Sequence, residues 1–198
     1  MQELIHELYK AGVIKIGSFI LSSGITSPFY IDMRRIYSYP KIMRLIINEV
    51  VKKVDLSSYE VLVGVATSGV ALAAFIAAVA GKPMAYVRLE KKDHGTLSQV
   101  EGEVEGRSSL IVDDVATTGD SIIRTYEILK DSGAVPTGAL VVVDREQGAE
   151  ERIRALGMEY HYVMTARQLF NTLKEDGVLN GATYEEIMKY LESYRRKK

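Results

Sequence analysis

Short apolar runs alternate with segments of helical periodicity along most of the chain, and this alternation constrains the fold more than any other feature. Runs of strand length occur at residues 61–66, 84–87, 110–112, 139–143 and 160–163. The spacing of apolar residues predicts helices at 70–80, 121–130, 150–156 and 166–175. Strands that alternate with helices favour a parallel sheet covered on both faces. The sequence therefore predicts an α/β fold.

The two ends of the chain have a different pattern. We predict a helix at 2–11, two short strands around a polar turn within 16–32, a helix at 39–54 and a loop at 55–59. A last helix is predicted to begin at Thr183, because Thr183 and Glu186 have the spacing of a capping box. We expect a single domain at 1–198, in which about 1–38 forms a helix and a flap and about 39–198 forms the core with the C-terminal helices.

Composition and charge exclude several classes of function. The 198 residues include no cysteine, which excludes disulfides, thiolate catalysis and cysteine-based zinc sites. The net charge is −1, so we expect no nucleic-acid partner. Residues 61–80 carry no charge, but Thr67 and Ser68 interrupt them, so we predict a strand, a turn and a helix and expect no membrane partner. The acidic N-terminal residues do not fit a signal peptide, and we expect a cytoplasmic enzyme.

The most specific motif lies where the apolar run at 110–112 ends. Two acids and then a run of small residues follow: Asp113, Asp114, Thr117, Thr118, Gly119 and Ser121. Ligands of parallel sheets bind beyond the carboxyl ends of the strands, and backbone N–H groups at a helix N-terminus bind phosphate. Carboxylates accept hydrogen bonds, so the two acids fit sugar hydroxyls or a metal shell better than phosphate. The motif indicates a sugar phosphate; the alternative is that Asp120 or Thr118 merely caps the helix.

A second small-residue turn lies at residues 64–69, between a predicted strand and a predicted helix. Its two glycines have the spacing of a Walker A loop, but Val70 and Ala71 occupy the positions that require lysine and a hydroxyl. ATP binding of that type is therefore excluded. The backbone N–H groups of such a turn can still bind a second anion. The alternative for Gly69 is close packing between strand and helix.

The segment at 89–107 is polar and has no clear period. Loops of this length within a compact domain are functional or disordered. The string from Arg88 to Thr96 contains Lys91, Lys92 and His94, which could stabilise negative charge on a leaving group. The alternative is a solvated charged surface.

These motifs together resemble a known family of enzymes. The string at 110–121 resembles the 5-phosphoribosyl-1-pyrophosphate (PRPP) signature of type I phosphoribosyltransferases. The string Lys91-Lys92-Asp93-His94-Gly95 is similar to the catalytic loop of the orotate phosphoribosyltransferases. The stretch from Phe19 to Tyr30 resembles the flap of that family, and Asp144-Arg145-Glu146-Gln147-Gly148 resembles its base-recognition turn. An arginine suits orotate because a guanidinium binds a carboxylate bidentately.

The resemblance implies the type I phosphoribosyltransferase fold, a central mainly parallel sheet flanked by helices with a small N-terminal flap or hood. It implies that orotate and PRPP give orotidine 5′-monophosphate and pyrophosphate, in de novo pyrimidine (UMP) biosynthesis. Mg²⁺ is expected to bind through PRPP, with no direct protein ligand. The implied partners are the two substrates and a second copy of the chain, in a homodimer whose catalytic loop is shared between subunits.

Site residues follow from the resemblance position by position. The implied catalytic residues are Lys92, His94, Asp113 and Asp114. The implied PRPP-binding residues are Thr67, Ser68, Gly69, Arg88, Lys91, Lys92, His94, Asp113, Asp114, Val115, Ala116, Thr117, Thr118, Gly119, Asp120 and Ser121. The implied orotate-binding residues are Tyr30, Ile31, Thr117 and Arg145.

Three positions depart from the pattern of the family. Ser22, Ser68 and Leu89 stand where many members have basic residues, so we expect a less cationic site that depends more on Mg²⁺ and on Lys91 or Lys92. His6 and His161 belong to no motif, and packing or surface roles are expected for them. The rival hypotheses are a purine phosphoribosyltransferase, which should lack the Arg145 turn, and a regulator that senses PRPP on the same fold.

Overall fold

The computed structural model describes residues 1–20, 26–90 and 98–195 of the chain. The helices are α1 (Gln2–Lys10), α2 (Pro40–Lys53), α3 (Ser68–Ala80), α4 (Asp120–Asp131), α5 (Ala149–Arg154), α6 (Ala166–Glu175) and α7 (Gly181–Arg195). The strands are β1 (Ile14–Ile20), β2 (Thr26–Ile31), β3 (Val61–Val65), β4 (Met84–Val87), β5 (Val100–Glu101), β6 (Ser108–Ala116), β7 (Val135–Asp144) and β8 (Glu159–Thr165). Two 3-10 turns lie at Met33–Ser38 and Leu56–Ser58.

The central sheet confirms the predicted parallel α/β architecture. Its six strands have the order β5-β4-β3-β6-β7-β8, and all neighbours are parallel except β4 and β5. From β3 the chain moves outward to β4 and β5, then returns to β6 on the other side of β3. The strand order therefore reverses between β3 and β6. Crevices at such reversals are the usual ligand sites of open parallel sheets.

Both faces of the sheet are buried, because alternate residues of each strand point in opposite directions. In β3, Leu62 packs in one hydrophobic cluster with α1, α2, α3, α6 and α7, whereas Val61 and Val63 pack in a second cluster with α4 and α5. All five residues of β3 are buried. This two-sided burial explains why the central strands have continuous apolar runs rather than an alternating pattern.

The predicted flap is an antiparallel pair of strands. In β1 and β2, Ile14 lies opposite Ile31 and Ile16 lies opposite Phe29. Phe29 is fully buried, and its ring lies 4.6 Å from the ring of Phe170 between centroids. The flap is therefore fixed to the core through the inward face of β2, which also packs against α7.

Several predicted boundaries are wrong, and the largest differences lie in the strands. The strand predicted at 110–112 is β6, which continues to Ala116, so Asp113 and Asp114 lie within the strand instead of after it. The strand predicted at 139–143 is β7, which begins at Val135. Polar and turn-forming residues occupy these extensions. Their extended conformation comes from ladder hydrogen bonds to neighbouring strands, which local periodicity does not reveal.

Two smaller predictions also need correction. The predicted capping box at Thr183 is wrong, because α7 begins at Gly181 and the Asn180 side chain accepts a hydrogen bond from the Thr183 amide at 2.9 Å. A complete capping box lies instead at Thr165 and Gln168, at the start of α6. The predicted loops at 55–59 and 89–107 contain a 3-10 turn and β5, respectively. Within the described ranges, no helix is long and apolar enough to span a bilayer.

Candidate functional site

The carboxyl ends of β3, β6 and β7 meet at one edge of the sheet. Gly64 lies opposite Val112 in the parallel pairing of β3 with β6, and Ala116 lies opposite Asp144 in the pairing of β6 with β7. The Arg145 amide donates to the Ala116 carbonyl at 2.9 Å. Three motifs that are separated in the sequence thus become neighbours at the point where the strand order reverses.

The two acids lie near the carboxyl end of β6 and are held by short hydrogen bonds. Asp113 is 7% exposed, and its Oδ2 accepts from the Ser121 hydroxyl at 2.8 Å. Its Oδ1 accepts from the Asp114 amide at 2.9 Å. Asp114 is less deeply buried, and its Oδ1 accepts from the Val115 amide at 2.8 Å. The carboxylates are therefore oriented before any ligand arrives.

Burial dominates the electrostatics of this pair. It raises the pKa of Asp113, and the neighbouring Asp114 charge raises it further. Burial also raises the pKa of Asp114, against the lowering effect of the Val115 amide and Ser68. Two adjacent buried carboxylates favour a ligand that donates hydrogen bonds, and ribose hydroxyls are such donors. The pair fits the predicted role toward a sugar, and that role remains a prediction.

Residues 117–119 form the turn between β6 and α4, as the sequence predicts. Gly119 precedes α4 with φ +79°, a conformation that favours glycine, and no side chain caps the helix. The alternative that Asp120 or Thr118 merely caps the helix is therefore wrong. Asp120 instead accepts from the Thr118 hydroxyl at 2.7 Å and from Arg152 Nη1 at 2.6 Å. Without a cap, the first-turn amides of α4 are available to an anion.

The turn after β3 is shaped by very close packing. A Cβ on Gly69 would lie 2.1 Å from the Val112 carbonyl oxygen, and a Cβ on Gly64 would lie 2.6 Å from Val70 Cα. The packing alternative for Gly69 is thus confirmed: α3 approaches β6 closely enough to exclude any side chain there. The Tyr37 hydroxyl donates to the Ser68 carbonyl and holds the turn from the other side. Anion binding by Thr67, Ser68 and Gly69 remains a prediction.

Arg145 is a buried cation without an acidic partner among the described residues. It is 4% exposed, and its Nη2 donates to the Ser27 hydroxyl at 3.1 Å and to the Tyr190 hydroxyl at 3.4 Å. Its Cζ lies 4.6 Å from the centroid of the Phe29 ring. Burial lowers the pKa of Arg145 and outweighs the raising effect of the neighbouring tyrosines.

The carboxylate of Asp144, which precedes Arg145 in the sequence, makes its hydrogen bond to a different residue. Asp144 Oδ1 accepts from the Glu146 amide at 2.8 Å, and no ion pair joins Asp144 to Arg145 in the part of the chain that the structure describes. Asp144 and Arg145 therefore do not form the simple ion pair that two adjacent opposite charges could form. A buried guanidinium of this kind is costly unless an anion completes its hydrogen bonds.

A cavity of about 970 Å³ lies beside the turn after β3. Its lining is Tyr37, Ala66, Thr67, Val70, Ala71, Ala74, Tyr86, Arg88, Leu89 and Glu90. This lining combines the predicted anion turn with one face of α3 and with the residues that precede the predicted catalytic loop. The cavity does not include the acid pair or residues 117–121.

Comparison with known proteins identifies the family. The model of the phosphoribosyl transferase domain matches residues 34–156. The orotate phosphoribosyltransferase of Saccharolobus solfataricus is 41% identical over 185 residues, which cover 93% of this chain and 94% of that protein. The chain belongs to the orotate phosphoribosyltransferase family.

Solved structures agree with this assignment. The crystal structure of orotate phosphoribosyltransferase from Aeropyrum pernix has a TM-score of 0.76 and 34% identity, covering 86% of this chain and 99% of that chain. The structure of Leishmania donovani UMP synthase has a TM-score of 0.88 and 28% identity. The match covers 98% of this chain but 42% of the UMP synthase chain, so the present chain corresponds to less than half of that protein.

Several predicted site residues of this orotate phosphoribosyltransferase homologue already make contacts within the protein. Arg88, predicted to contact pyrophosphate, donates to Glu101 at 2.9 Å and to the Ser98 carbonyl at 2.7 Å. Ile31, predicted to contact orotate, has its side chain in the hydrophobic core, so any contact must come from its backbone. Val115 and Ala116 lie in β6, where they pair with β7. Tyr30 is half-buried, with its ring 5.8 Å from the Phe19 ring between centroids.

The predicted catalytic loop lies outside the described residues. Lys91, Lys92 and His94 belong to this loop. Ser22 of the flap also lies outside the described residues. Their predicted roles stay predictions. The residues that lead into the loop are held: Gln99 Nε2 donates to the Arg88 carbonyl at 2.9 Å.

Four polar residues near the site were not found by sequence reasoning. Arg34 pairs with Asp32 at 2.8 Å and lies close enough to interact with Asp114. Arg152 donates to the Thr118 carbonyl at 2.7 Å, in addition to its ion pair with Asp120. The other two are Tyr37 and Tyr190. None of the four belongs to a motif, because tertiary packing alone brings them to the site.

Proposed function

We propose that this chain catalyses the transfer of the phosphoribosyl group from PRPP to orotate, giving orotidine 5′-monophosphate and pyrophosphate. The observation that supports this reaction best is the buried Arg145, which has no acidic partner among the described residues and follows the strand beside the phosphate turn. Orotate carries a carboxylate, and a guanidinium recognises carboxylates bidentately. A purine base has no anionic group that would satisfy this cation.

The residues of this chain act mainly by orientation and electrostatics. Asp113 and Asp114 accept hydrogen bonds from the ribose hydroxyls, and the amides of residues 117–121 bind the 5-phosphate. The orotate nitrogen then loses its proton to solvent and attacks the anomeric carbon, while the bond from that carbon to pyrophosphate breaks and the electron pair leaves with the pyrophosphate. Holding both substrates in line reduces the entropic part of the barrier. Positive groups near the leaving pyrophosphate stabilise its developing charge.

Mg²⁺ is proposed to bind together with PRPP. Among the described residues, no three His, Cys, Asp or Glu side chains are grouped as metal ligands. Asp113 already accepts two hydrogen bonds and Asp114 lies beside it, so this pair fits a cation that carries its own oxygen ligands from PRPP. Bound Mg²⁺ would add positive charge to the leaving pyrophosphate.

The experiment is a comparison of turnover with PRPP, Mg²⁺ and either orotate, hypoxanthine or adenine. We expect orotate alone to react. If a purine reacts and orotate does not, the proposed base is wrong. A binding assay with RNA and DNA tests the remaining rival, a PRPP-sensing regulator: tight nucleic-acid binding without turnover would favour it. A cytoplasmic location is also proposed, and cell fractionation tests it.

We propose that the chain forms a homodimer through the outward face of α3. This helix contains no charged residue, yet Phe75 is 47% exposed and Val79 is 64% exposed. Helices that are apolar all round are buried in their final assembly. The α3 face defined by Ala71, Ala74, Phe75, Ala78 and Val79 adjoins the cavity that Leu89 and Glu90 also line. A second copy on this face would lie beside the start of the predicted catalytic loop.

The oligomeric state tests this interface. Val79→Glu should convert a dimer to a monomer in light scattering after size exclusion. Val51→Glu is the matched control, because Val51 is a valine of similar exposure, 54%, on a different helix, α2. A Val79→Glu protein that remains dimeric would contradict the proposed interface. Sharing of the loop is tested by mixing inactive Lys92→Ala and Asp114→Asn proteins, which should regain part of the activity.

A further inference from the structure

We propose that Tyr190, on the C-terminal helix α7, is a positioning residue that orients Arg145 toward the carboxylate of the substrate. This inference rests on the proposed function, since it assumes that Arg145 binds orotate. Tyr190 lies 45 residues from Arg145 in the sequence and belongs to no motif. Its hydroxyl nevertheless lies 3.4 Å from Nη2 of Arg145.

The hydrogen bonds around Tyr190 have a defined direction. Gln147 Nε2 donates to the Tyr190 hydroxyl at 3.1 Å, and Arg145 Nη2 donates to the same oxygen. A phenol oxygen that accepts from two donors has its own proton left to donate. The Tyr194 hydroxyl lies 3.4 Å from the Tyr190 hydroxyl, and either of the two can donate in that contact. Tyr190 is therefore set as an acceptor toward Arg145.

Ring contacts fix the same arrangement. The Tyr190 ring meets the Phe29 ring edge-on, with centroids 5.7 Å apart and planes at 87°. The face of Phe29 carries the Arg145 guanidinium at 4.6 Å. One aromatic side chain thus supports both the cation and the tyrosine that accepts from it, as edge-to-face and cation–π contacts allow.

These contacts leave one part of the guanidinium available. Both protons of Nη2 are used, by Ser27 on β2 and by Tyr190 on α7. Nε is enclosed and has no partner, and Nη1 makes no hydrogen bond to any residue in the described ranges. Because the guanidinium is planar, fixing Nη2 at two points fixes the direction of the remaining donors. Nη1 is then the donor that a carboxylate can reach, and it faces that carboxylate only if the guanidinium keeps this direction.

Tyr190→Phe tests the proposal, because it keeps the ring contact with Phe29 and removes only the acceptor. A hydrogen bond to a charged group contributes enough to change binding by about tenfold or more. We therefore expect the KM for orotate to rise about tenfold, with kcat and the KM for PRPP nearly unchanged. Uracil has the pyrimidine ring of orotate without its carboxylate, so the concentration of uracil that inhibits the reaction should not change.

Tyr184→Phe is the matched control, since the Tyr184 hydroxyl on the same helix donates to Asn171 at 2.9 Å and does not contact Arg145. A second test is the double variant with Arg145→Lys, in which Tyr190→Phe should have no further effect on the KM for orotate. Equal changes for orotate and uracil, or a change in melting temperature alone, would overturn the inference. Failure of the unmodified protein to use orotate would instead overturn the proposed function.

Discussion

Gly69→Ala is the substitution for which the structure makes the sharpest prediction. The new Cβ would lie 2.1 Å from the Val112 carbonyl oxygen, 3.1 Å from the Val112 carbonyl carbon and 3.2 Å from the Asp113 Cα. All three are backbone atoms, so no side chain can rotate away. The start of α3 or the end of β6 must move by about 1 Å, and overpacking of this kind costs about 1–3 kcal/mol.

This cost exceeds the stabilisation that alanine normally brings to a helix, which is at most about 1 kcal/mol. The net cost is then about 1–2 kcal/mol. For a chain of this length, each kcal/mol changes the melting temperature by roughly 2–4 °C, so a decrease of about 2–8 °C is expected. The same shift displaces Ser68 and Asp113, which lie on either side of the contact. The KM for PRPP should therefore rise together with the loss of stability.

The assay is thermal unfolding at equal protein concentration, followed by PRPP titration of the activity. Gly181→Ala is the matched control: Gly181 also lies in the first turn of a helix, but its nearest contact is the flexible Lys174 Nζ at 3.7 Å. That variant should be as stable as the unmodified protein or slightly more stable. A Gly69→Ala protein with unchanged melting temperature and unchanged KM for PRPP would refute the packing argument.

Three further predictions concern charged residues. Arg145→Lys should raise the KM for orotate by about 30-fold or more, with little effect on PRPP, because lysine loses the bidentate geometry; equal effects on both substrates would contradict it. Lys92→Ala should lower kcat by about 30- to 1000-fold without changing the melting temperature; an unchanged rate would remove the loop from the mechanism. Burial raises the pKa of Asp144 from 3.8 to about 6, so this carboxyl stays protonated in the folded chain at pH values where the unfolded chain has lost the proton. The stability that the protonated Asp144 carboxyl contributes is therefore lost as the pH rises from about 4 through about 6. Asp144→Asn should stabilise the protein by about 2–3 kcal/mol at pH 7.5 but not below pH 4, which urea unfolding at the two pH values measures. Asp55→Asn should instead destabilise the protein at pH 7.5, because hydrogen bonds from Ser57 lower the pKa of that exposed carboxyl and so favour its charged form in the folded chain.

Local pattern was sufficient where an element is defined by its own apolar residues. The predicted strand at 84–87 and helix at 166–175 have the same bounds as β4 and α6. Local pattern was insufficient where pairing with a neighbouring strand imposes the extended conformation. Asp113 and Asp114 are extended because β6 pairs with β7, and no property of two aspartates predicts a strand.

The candidate site divides in the same way. Residues 110–121 form one continuous stretch, so the existence of the strand, the two acids and the turn before α4 could be predicted from the sequence together, although the end of the strand could not. Arg145 was found through its charge and the resemblance of its turn. The sequence did not reveal that the cation is buried on Phe29 and held by Tyr190, because these contacts join β2, β7 and α7.

The sequence by itself determined the alternating α/β pattern, the motif of two acids and a small-residue turn, and the family to which the chain belongs. These features depend on residue type and short spacing, which folding does not alter. Tertiary structure alone decided which motifs meet. The parallel order of β3, β6 and β7 brings their carboxyl ends to one edge, and α7 packs against the flap strand so that Tyr190 reaches Arg145. Such contacts arise from the packing of distant segments, and their specificity lies in geometry that no short stretch of sequence contains.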